Sequence, residues 1–389
     1  MTTPRFLQIH TVHSYTAALL NRDDTGQAKR LTYGDTIRTR ISSQCLKRHW
    51  RMAQEVKRDG TGKTRIIKDD PHALQNLAGY VDSFRSRELV TEKVIAPLRE
   101  RFSEDVVDAL EPEFQKLVYG DKADKGKRSR QTLLLGRPEL EWLAAKAEEI
   151  AGSVDNPKAA KKAVADWAKD KNFKAMSGNA SLPGGLIAAM FGRMVTSDPA
   201  ANIDAPVHVA HAFTVHASEA EGDYFTAVDD LKRDEDDSGA DTIQETELNS
   251  GLYYGYVVID LPGLIANCGS DRDLAARVVH NLVHLIAEVS PGAKLGSTAP
   301  YGRADLMLIE AGDRQPRSLA TSFRQTIPHD FAQARDALQG QLQKLDATYA
   351  TGEERRHLCL EGALADIDKL ALTPLAKWAA TQVEAAPDA

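Results

Sequence analysis

Residues 207–215 read Val207-His208-Val209-Ala210-His211-Ala212-Phe213-Thr214-Val215. Apolar side chains at Val207, Val209, Phe213 and Val215 follow the period-2 pattern of a strand with one buried face. Three further segments share this β character: 5–13, with Phe6, Leu7, Ile9 and Val12; 252–261, rich in Tyr, Val and Ile; and 304–309, a nearly continuous apolar run. Two stretches repeat at helical spacing instead. Residues 42–58 place Leu46, Trp50, Ala53 and then Val56 or Lys57 on one face. Residues 271–289 place Leu274, Val278, Leu282, Leu285 and Ile286 together, and Pro291-Gly292 ends that helix. In chain order this gives β, α, a long insertion, β, an acidic loop, β, α, β. The predicted class is α+β, with the βαββαβ order of a ferredoxin-like or RRM-like domain. That order serves many functions, so alone it points only weakly to RNA.

The long insertion spans 60–205 and is mostly helical in character, with amphipathic stretches at 139–150 and 156–169. A second insertion, 218–250, is acidic with Gly and Ser, and the tail from 328 reads as further helix. The expected segments are therefore 1–59, 60–205, 206–217, 218–250, 251–327 and 328–389. Among the 389 residues, 42% are hydrophobic and 27% charged, a balance that excludes a mainly disordered chain. No apolar run approaches the ~18 residues of a membrane span, and the opening MTTPRFLQIHTVHS lacks a basic region followed by an apolar one. Cys45, Cys268 and Cys359 lie too far apart in sequence to suggest a framework. A cytoplasmic protein with no membrane partner is the expectation.

The net charge of −7 argues at first against nucleic acid, but the charge is segregated. Residues 22–58 hold ten Lys/Arg and four Asp/Glu, whereas 219–237 hold nine acidic residues and two basic ones. A cationic groove on an acidic body fits this, and so does a solvated helix face beside an acidic loop.

The most informative stretch is Leu20-Asn21-Arg22-Asp23-Asp24, followed by Arg38-Thr39-Arg40-Ile41-Ser42-Ser43-Gln44-Cys45-Leu46-Lys47-Arg48. Ser42 and Ser43 stand where the helix begins and can cap it. A helix N-terminus offers unpaired N–H groups and partial positive charge to a phosphate. Lys47 and Arg51 share a face, Arg48 lies alongside, and Arg22, Arg38 and Arg40 come from the preceding loop. Such donors position a strand without reading its bases; an ordinary capped amphipathic helix would look the same. Tyr224-Phe225, within Gly222–Val228, could stack on bases at ~1–3 kcal/mol each, or could anchor the loop to the body.

Other patterns carry less. Gly60-Thr61-Gly62-Lys63-Thr64 resembles the end of a P-loop, but Lys57 stands where the first glycine is required and a helix precedes it. His280 and His284 have zinc-helix spacing, yet Asn281 replaces the catalytic Glu and no third ligand is evident. His10 with His13, and His208 with His211, have odd spacing and would face opposite sides of a strand. Asp23-Asp24 reads as a turn with local ion pairs or as an acid or metal site. No nucleophile elbow is recognisable. No catalytic residue, metal or cofactor is expected.

The sequence resembles the CasC family, the multi-copy backbone subunit of Cascade in type I-E CRISPR systems. The motifs are Leu20–Asp24, Ile41-Ser42-Ser43-Gln44 with Leu46-Lys47-Arg48, Gly192-Arg193-Met194, Ala210-His211-Ala212, Phe225-Thr226-Ala227-Val228-Asp229-Asp230-Leu231 and Pro291-Gly292-Ala293-Lys294, in family order over about three-quarters of the chain. The resemblance implies an RRM-like palm, helical fingers in 60–205, a thumb in 218–250, and a helical filament along guide RNA. Its implied partners are crRNA, target DNA through guide pairing, other copies of the chain and other Cascade subunits. By position Arg22, Ser42, Gln44, Lys47 and Arg48 would hold phosphates; Met194 and Phe225 would flank a kinked nucleotide, with Thr226 beside it. Tyr224 stands where the family often has Trp. The run 122–130, KADKGKRSR, matches poorly and reads as a solvated loop. The competing expectation is a type III-like backbone subunit that cleaves target RNA with a loop aspartate, Asp23 or Asp24.

Overall fold

The computed structural model describes residues 3–58, 63–121, 123–169, 182–226 and 243–388. The chain forms two compact units. Unit 1 comprises Met1–Leu74, Val209–Ile259 and Ala276–Ala386; unit 2 comprises Gln75–His208, Asp260–Ala275 and Pro387–Ala389.

Unit 1 is organised by a ten-stranded sheet. Its strands are β1 (Phe6–Ala18), β2 (Arg30–Tyr33), β3 (Thr36–Ile41), β8 (Val207–Val209), β9 (Ala212–Thr214), β10 (Ala220–Thr226), β11 (Ile243–Asp260), β12 (Ala304–Gly312), β13 (Glu354–Cys359) and β14 (Asp368–Lys369). The path runs β14-β13-β12-β1-β11-β9-β3-β2, with β8 and β10 also on β11. A separate antiparallel ribbon pairs β4 (Gln54–Arg58) with β5 (Thr64–Asp69). Strand β1 is buried at every position from Phe6 to Val12, as a central strand covered on both faces must be.

Period-2 geometry sorts the sheet's side chains. Phe213 and Tyr254 join a cluster with Val12, Leu306 and Leu308, completed by Ala334, Leu338 and Leu342 of helix α8 (Phe331–Tyr349). Their neighbours Ala212 and Tyr253 turn to the opposite cluster, with Tyr15, Ala18, Leu20 and Ile41. Cys45 and Leu46 of helix α1 (Ser43–Arg51) pack there. Helix α7 (Arg272–Glu288) buries Val278, Val279, Leu282, Val283 and Leu285 fully. Each such side chain is worth ~1.5–3 kcal/mol of burial.

The core also contains charge. Glu310 of β12 is fully buried and accepts hydrogen bonds from His10 Nε2 (3.0 Å), Arg317 Nη1 and Nη2 (2.7 Å each) and Arg355 Nε (2.7 Å). Burial alone would raise its carboxyl, but the bonds and charges of Arg317 and His10 hold it well below the usual carboxylate range. His10, fully buried beside it, is driven toward the neutral form chiefly by burial.

Unit 2 contains a two-stranded sheet, β6 (Ser83–Ser86) with β7 (Leu133–Gly136). Its helices include α2 (Glu104–Tyr119), α3 (Arg137–Ser153), α4 (Pro157–Lys169), α5 (Gly185–Phe191) and α6 (Leu261–Asn267). Leu110, Phe114, Val118, Leu135, Leu143 and Ala147 form its core. Gly136 is required by close approach: a Cβ there would meet Pro183 O at 2.0 Å and Gly185 N at 2.7 Å.

Several expectations are corrected. The 207–215 pattern is two strands, because Ala210 N–H bonds to Tyr256 O (2.9 Å) and β9 turns to pair with β3 through Arg40–Phe213 and Ile41–Ala212. The helix expected over 42–58 stops at Arg51, where the Met52 N–H bonds back to Arg48 O (3.0 Å), and 54–58 become β4. The acidic loop begins and ends as an antiparallel ribbon, Ala220–Asn249 through Thr226–Ile243. The tail from 328 is not all helix: β13 and β14 lie between α8 and α9 (Leu372–Ala385). In the run expected as a solvated loop, Lys125, Lys127, Arg128 and Ser129 are exposed; Lys127 pairs with Glu88 at 2.8 Å, Arg130 bonds Gln115 and Ala123, and residue 122 lies outside the described residues.

Candidate nucleic-acid interface

The surface at the start of α1 is assembled from segments distant in sequence. Ser42 is the N-cap: its hydroxyl accepts from Cys45 N–H at 3.3 Å, and its own N–H donates to Asn21 Oδ1 at 2.9 Å. The N–H groups of Ser43 and Gln44 lead the helix, where no earlier turn supplies a carbonyl. Asn21 O accepts Lys29 N–H (2.9 Å), and Lys29 O accepts Arg40 N–H (2.8 Å), so the Leu20–Lys29 loop is stitched to the end of β3. From the other side, Ala293 N–H bonds to Leu19 O (2.9 Å), bringing Pro291-Gly292-Ala293-Lys294 against the same loop. A Cβ on Gly292 would meet Pro300 Cγ at 2.5 Å, so this turn is built around its glycine. Lys294 Nζ donates to Thr246 Oγ1 at the foot of the β10–β11 ribbon.

The cations divide by environment. Arg22 and Arg48 are exposed and Lys47 and Arg51 are half-buried. Among the described residues neither Arg22 nor Arg48 joins an ion pair. Arg30 is neutralised by Glu247 at 2.5 Å. Half-buried Arg40 donates through Nη1 to His211 Nδ1 (2.8 Å) and through Nε to Arg30 O (3.0 Å). His211 is pushed toward the neutral form by burial, then by Arg40 and Lys29. Gln44 is exposed, whereas Ser42 and Ser43 are buried, which limits them to capping and backbone donation.

Arg38 does not belong to this surface. It lies on β3 with no exposure, its guanidinium donating to Thr214 O (3.2 Å) and Phe323 O (3.0 Å). The positive count of 22–58 therefore overstates what a polyanion would meet.

Asp23 has a structural task. Its Oδ1 accepts from Thr25 N–H (2.9 Å), Thr25 Oγ1–H (2.8 Å) and Gln27 N–H (3.0 Å). The Thr25 hydroxyl bond foremost, with the backbone donors, holds its carboxyl below the ordinary range. Asp24 is exposed. Cys45, three residues past the cap, is pushed up to about 11 by burial, against the pull of Arg48 and Lys29.

The other expected residues fall elsewhere. Tyr224 is 62% exposed on β10, opposite Glu245. Phe225 and Thr226 have backbone partners Gln244 and Ile243, but their side chains lie outside the described residues, as do 227–231 of the motif. Met194 is in unit 2 and 65% exposed. Its neighbour Arg193 is buried, bonding Glu139 Oε1 (2.7 Å) and Oε2 (2.5 Å), Ala201 O and Leu134 O. Burial raises the Glu139 carboxyl and Arg193 opposes that rise. Residues that sequence reasoning missed are Asn21, which ties the loop to the cap, and Glu247, which fixes Arg30 and receives Ala28 N–H (3.2 Å). Asn21 had a signal, because it lies inside a quoted motif; Glu247, in a polar strand, had none.

A large sheet flanked by helices, with a capped and cationic helix start on its surface, defines a mixed α+β protein. Residues 7–379 match the family described as CT1975-like protein, and the chain belongs to that family, which is of the CasC type. No curated protein matches the sequence. Among solved structures, a chain of a "CRISPR RNA-guided surveillance complex, pre-nicking" is similar at 24% identity and a TM-score of 0.74, covering 97% of this chain and 100% of that one. A chain of a "CRISPR RNA-guided surveillance complex" is similar at 20% identity and TM-score 0.58, covering 97% of this chain and 98% of that one. The α+β class expected from the sequence is the class observed, with a large multi-stranded sheet. No helix among the described residues is long and apolar enough to cross a membrane.

Proposed function

We propose that this chain is a non-catalytic, guide-RNA-binding backbone subunit of a type I CRISPR surveillance complex. The observation that carries the reading is the convergence on α1 of the 20–29 loop, the Ile41–Ser42 cap, His211 and the 291–294 turn, all from family motifs. This supports a phosphate grip by Arg22, Lys47, Arg48 and leading helix amides, with Gln44 adding a side-chain amide. A grip of that kind accepts any spacer. Holding the guide extended before it meets DNA would remove part of the ordering cost, leaving recognition to base pairing.

An RRM-like palm accords with the spatial order β12-β1-β11-β9, the 4-1-3-2 arrangement of a βαββαβ unit with α1 and α7 as its helices. Tyr224, exposed on the β10–β11 ribbon, suits a thumb that stacks on a base. Head-to-tail copies along one RNA, other Cascade subunits and target DNA complete the assembly. Engagement of the Asp23 carboxylate by its own turn speaks against that residue as the cleaving aspartate of the alternative, whereas Asp24 is exposed.

The test is co-expression with a repeat–spacer transcript. Short RNAs with a common repeat-derived end and variable interiors should co-purify, at several protein copies per RNA. Recovery of no RNA, or of one defined sequence, overturns the reading.

A further inference from the structure

We infer that His72, His284 and Glu288 form a binding site for a divalent transition-metal ion, with zinc the best chemical match. The sequence shows His280 and His284 one helical turn apart with no third partner. The fold supplies partners from a segment about 200 residues earlier and from the next turn of α7. Donor atoms of His72, His284 and Glu288 all lie within 4.8 Å of one another. Glu288 Oε2 is 3.4 Å from His284 Nδ1 and 4.0 Å from His72 Nδ1. His280 stands behind, its ring centroid 5.0 Å from that of His284 and 5.9 Å from that of His72.

The protein alone satisfies this cluster only in part: His284 Nδ1 is hydrogen-bonded to Glu288 Oε2 at 3.4 Å. His284 is 4% exposed at its side chain, yet its Nε2 has no hydrogen-bond partner; the buried Nδ1 of His72 has none either. Orphaned buried nitrogens normally find a donor, an acceptor or an ion. The surroundings already orient the donors. Arg303 holds Glu288 Oε1 at 3.3 Å, leaving Oε2 toward the histidines. Asp70 Oδ1 accepts the His72 N–H at 2.8 Å and fixes the turn that carries the ring.

Two imidazoles and a carboxylate suit zinc or a neighbouring borderline metal, whereas magnesium and calcium prefer oxygen sets. Tetrahedral zinc with bonds of about 2.1 Å spaces its ligands about 3.4 Å apart, so the cluster must contract on binding. The ring of His72 can make that move: it is stacked on His284 at 3.6 Å and 7°, and 27% of its side chain is exposed. A fourth position falls to His280 or to water. The ion would clamp the 70–73 turn, at the foot of the β4–β5 ribbon, to α7. That ribbon carries exposed Lys57, Arg65 and Lys68.

The experiment uses the full chain freed of any affinity tag, stripped with chelator and titrated with zinc chloride against a chromogenic competitor. One zinc per chain is expected, with visible absorption from four-coordinate cobalt(II) in its place. Outer-sphere changes at zinc sites cost about 10–100-fold in affinity, so His72→Ala and Glu288→Gln should each cost roughly 100-fold or more. His208→Ala, at an exposed histidine of β8, should change nothing. Hydrogen exchange over 54–69 should slow with zinc in the wild type and not in His72→Ala. His72 is on a surface turn, so this variant is decisive even where changes in buried His284 impair folding. Absence of stoichiometric zinc, or wild-type affinity in His72→Ala and Glu288→Gln, overturns the site.

Discussion

Replacing Arg22 and Arg48 together by Ala removes the two cations of the α1 surface that are exposed and outside any ion pair among the described residues. If each contacts one phosphate, each releases about 0.7 of a counterion from single-stranded RNA. At ~0.15 M salt, that release is worth about 0.8 kcal/mol per contact, nearly fourfold in affinity. The double variant should therefore bind a short RNA that accommodates one protomer a little over tenfold more weakly, about 1.5 kcal/mol. The slope of log K against log salt should flatten by about 1.4 per protomer. Fluorescence anisotropy between about 50 and 200 mM salt measures both quantities. The loss should be the same for homopolymeric and mixed-sequence RNA, because phosphate contacts carry no base information. A short oligonucleotide is essential, since contacts between neighbouring copies on a long one would multiply the apparent effect. An unchanged slope, or a loss confined to particular sequences, would refute the assignment of this surface to the sugar–phosphate backbone.

Four further outcomes follow from described contacts. Tyr224→Ala should weaken RNA binding by ~1–3 kcal/mol and Tyr224→Trp should preserve it, read by the same anisotropy assay. Glu310→Gln leaves Arg317 and the buried His10 without their carboxylate, while Arg355 keeps Asp346 (2.6 Å) and Glu353 (3.2 Å); breaking such a buried pair costs about 3–5 kcal/mol. At about 2 °C per kcal/mol, its thermal midpoint by circular dichroism should fall by roughly 6–10 °C. Because the Glu310 carboxyl titrates lower folded than unfolded, its contribution is whole above the unfolded value near ~4.3 and fades as pH falls below it, so the variant's stability should fall less steeply through that acid window. Asp23→Ala should loosen the turn that presents Arg22 and weaken RNA binding, while magnesium-dependent cleavage of guide-complementary RNA should be absent in wild type, Asp23→Ala and Asp24→Ala alike; regular cuts abolished by either change would favour the cleaving alternative. Gly136→Ala drives a Cβ into the backbone of Pro183 and Gly185 and should make unit 2 the first target of limited proteolysis.

The sheet was legible where strands bury a continuous or alternating apolar face, as in β1, β12 and the second half of β11. It was not legible in β2, β3, β13 and the first half of β11, where the face carries charge or polar groups. Arg38 shows why: its inward position on β3 is stabilised by carbonyls of Thr214 and Phe323, which no local pattern reveals. Arg355 of β13 likewise points at Glu310, a partner 45 residues away. The ribbon strands Ala220–Thr226 and 243–250 contain few apolar residues, so composition alone reads them as a loop. The false extension of α1 came from Val56, which fits a helical period but is 49% exposed in β4. The capping serines could be read locally, because capping is a local device. Convergence of the 291–294 turn on the 20–29 loop rests on tertiary contacts that only the family motifs hinted at.

Cys45 has a consequence for chemistry in a stressed cell. A sulfur near the start of a helix is ordinarily acidified and reactive, but this one, pushed up to about 11, stays protonated at neutral pH. Peroxide and alkylating agents attack thiolates, so they would meet a sluggish target in this half-buried sulfur beneath the helix start.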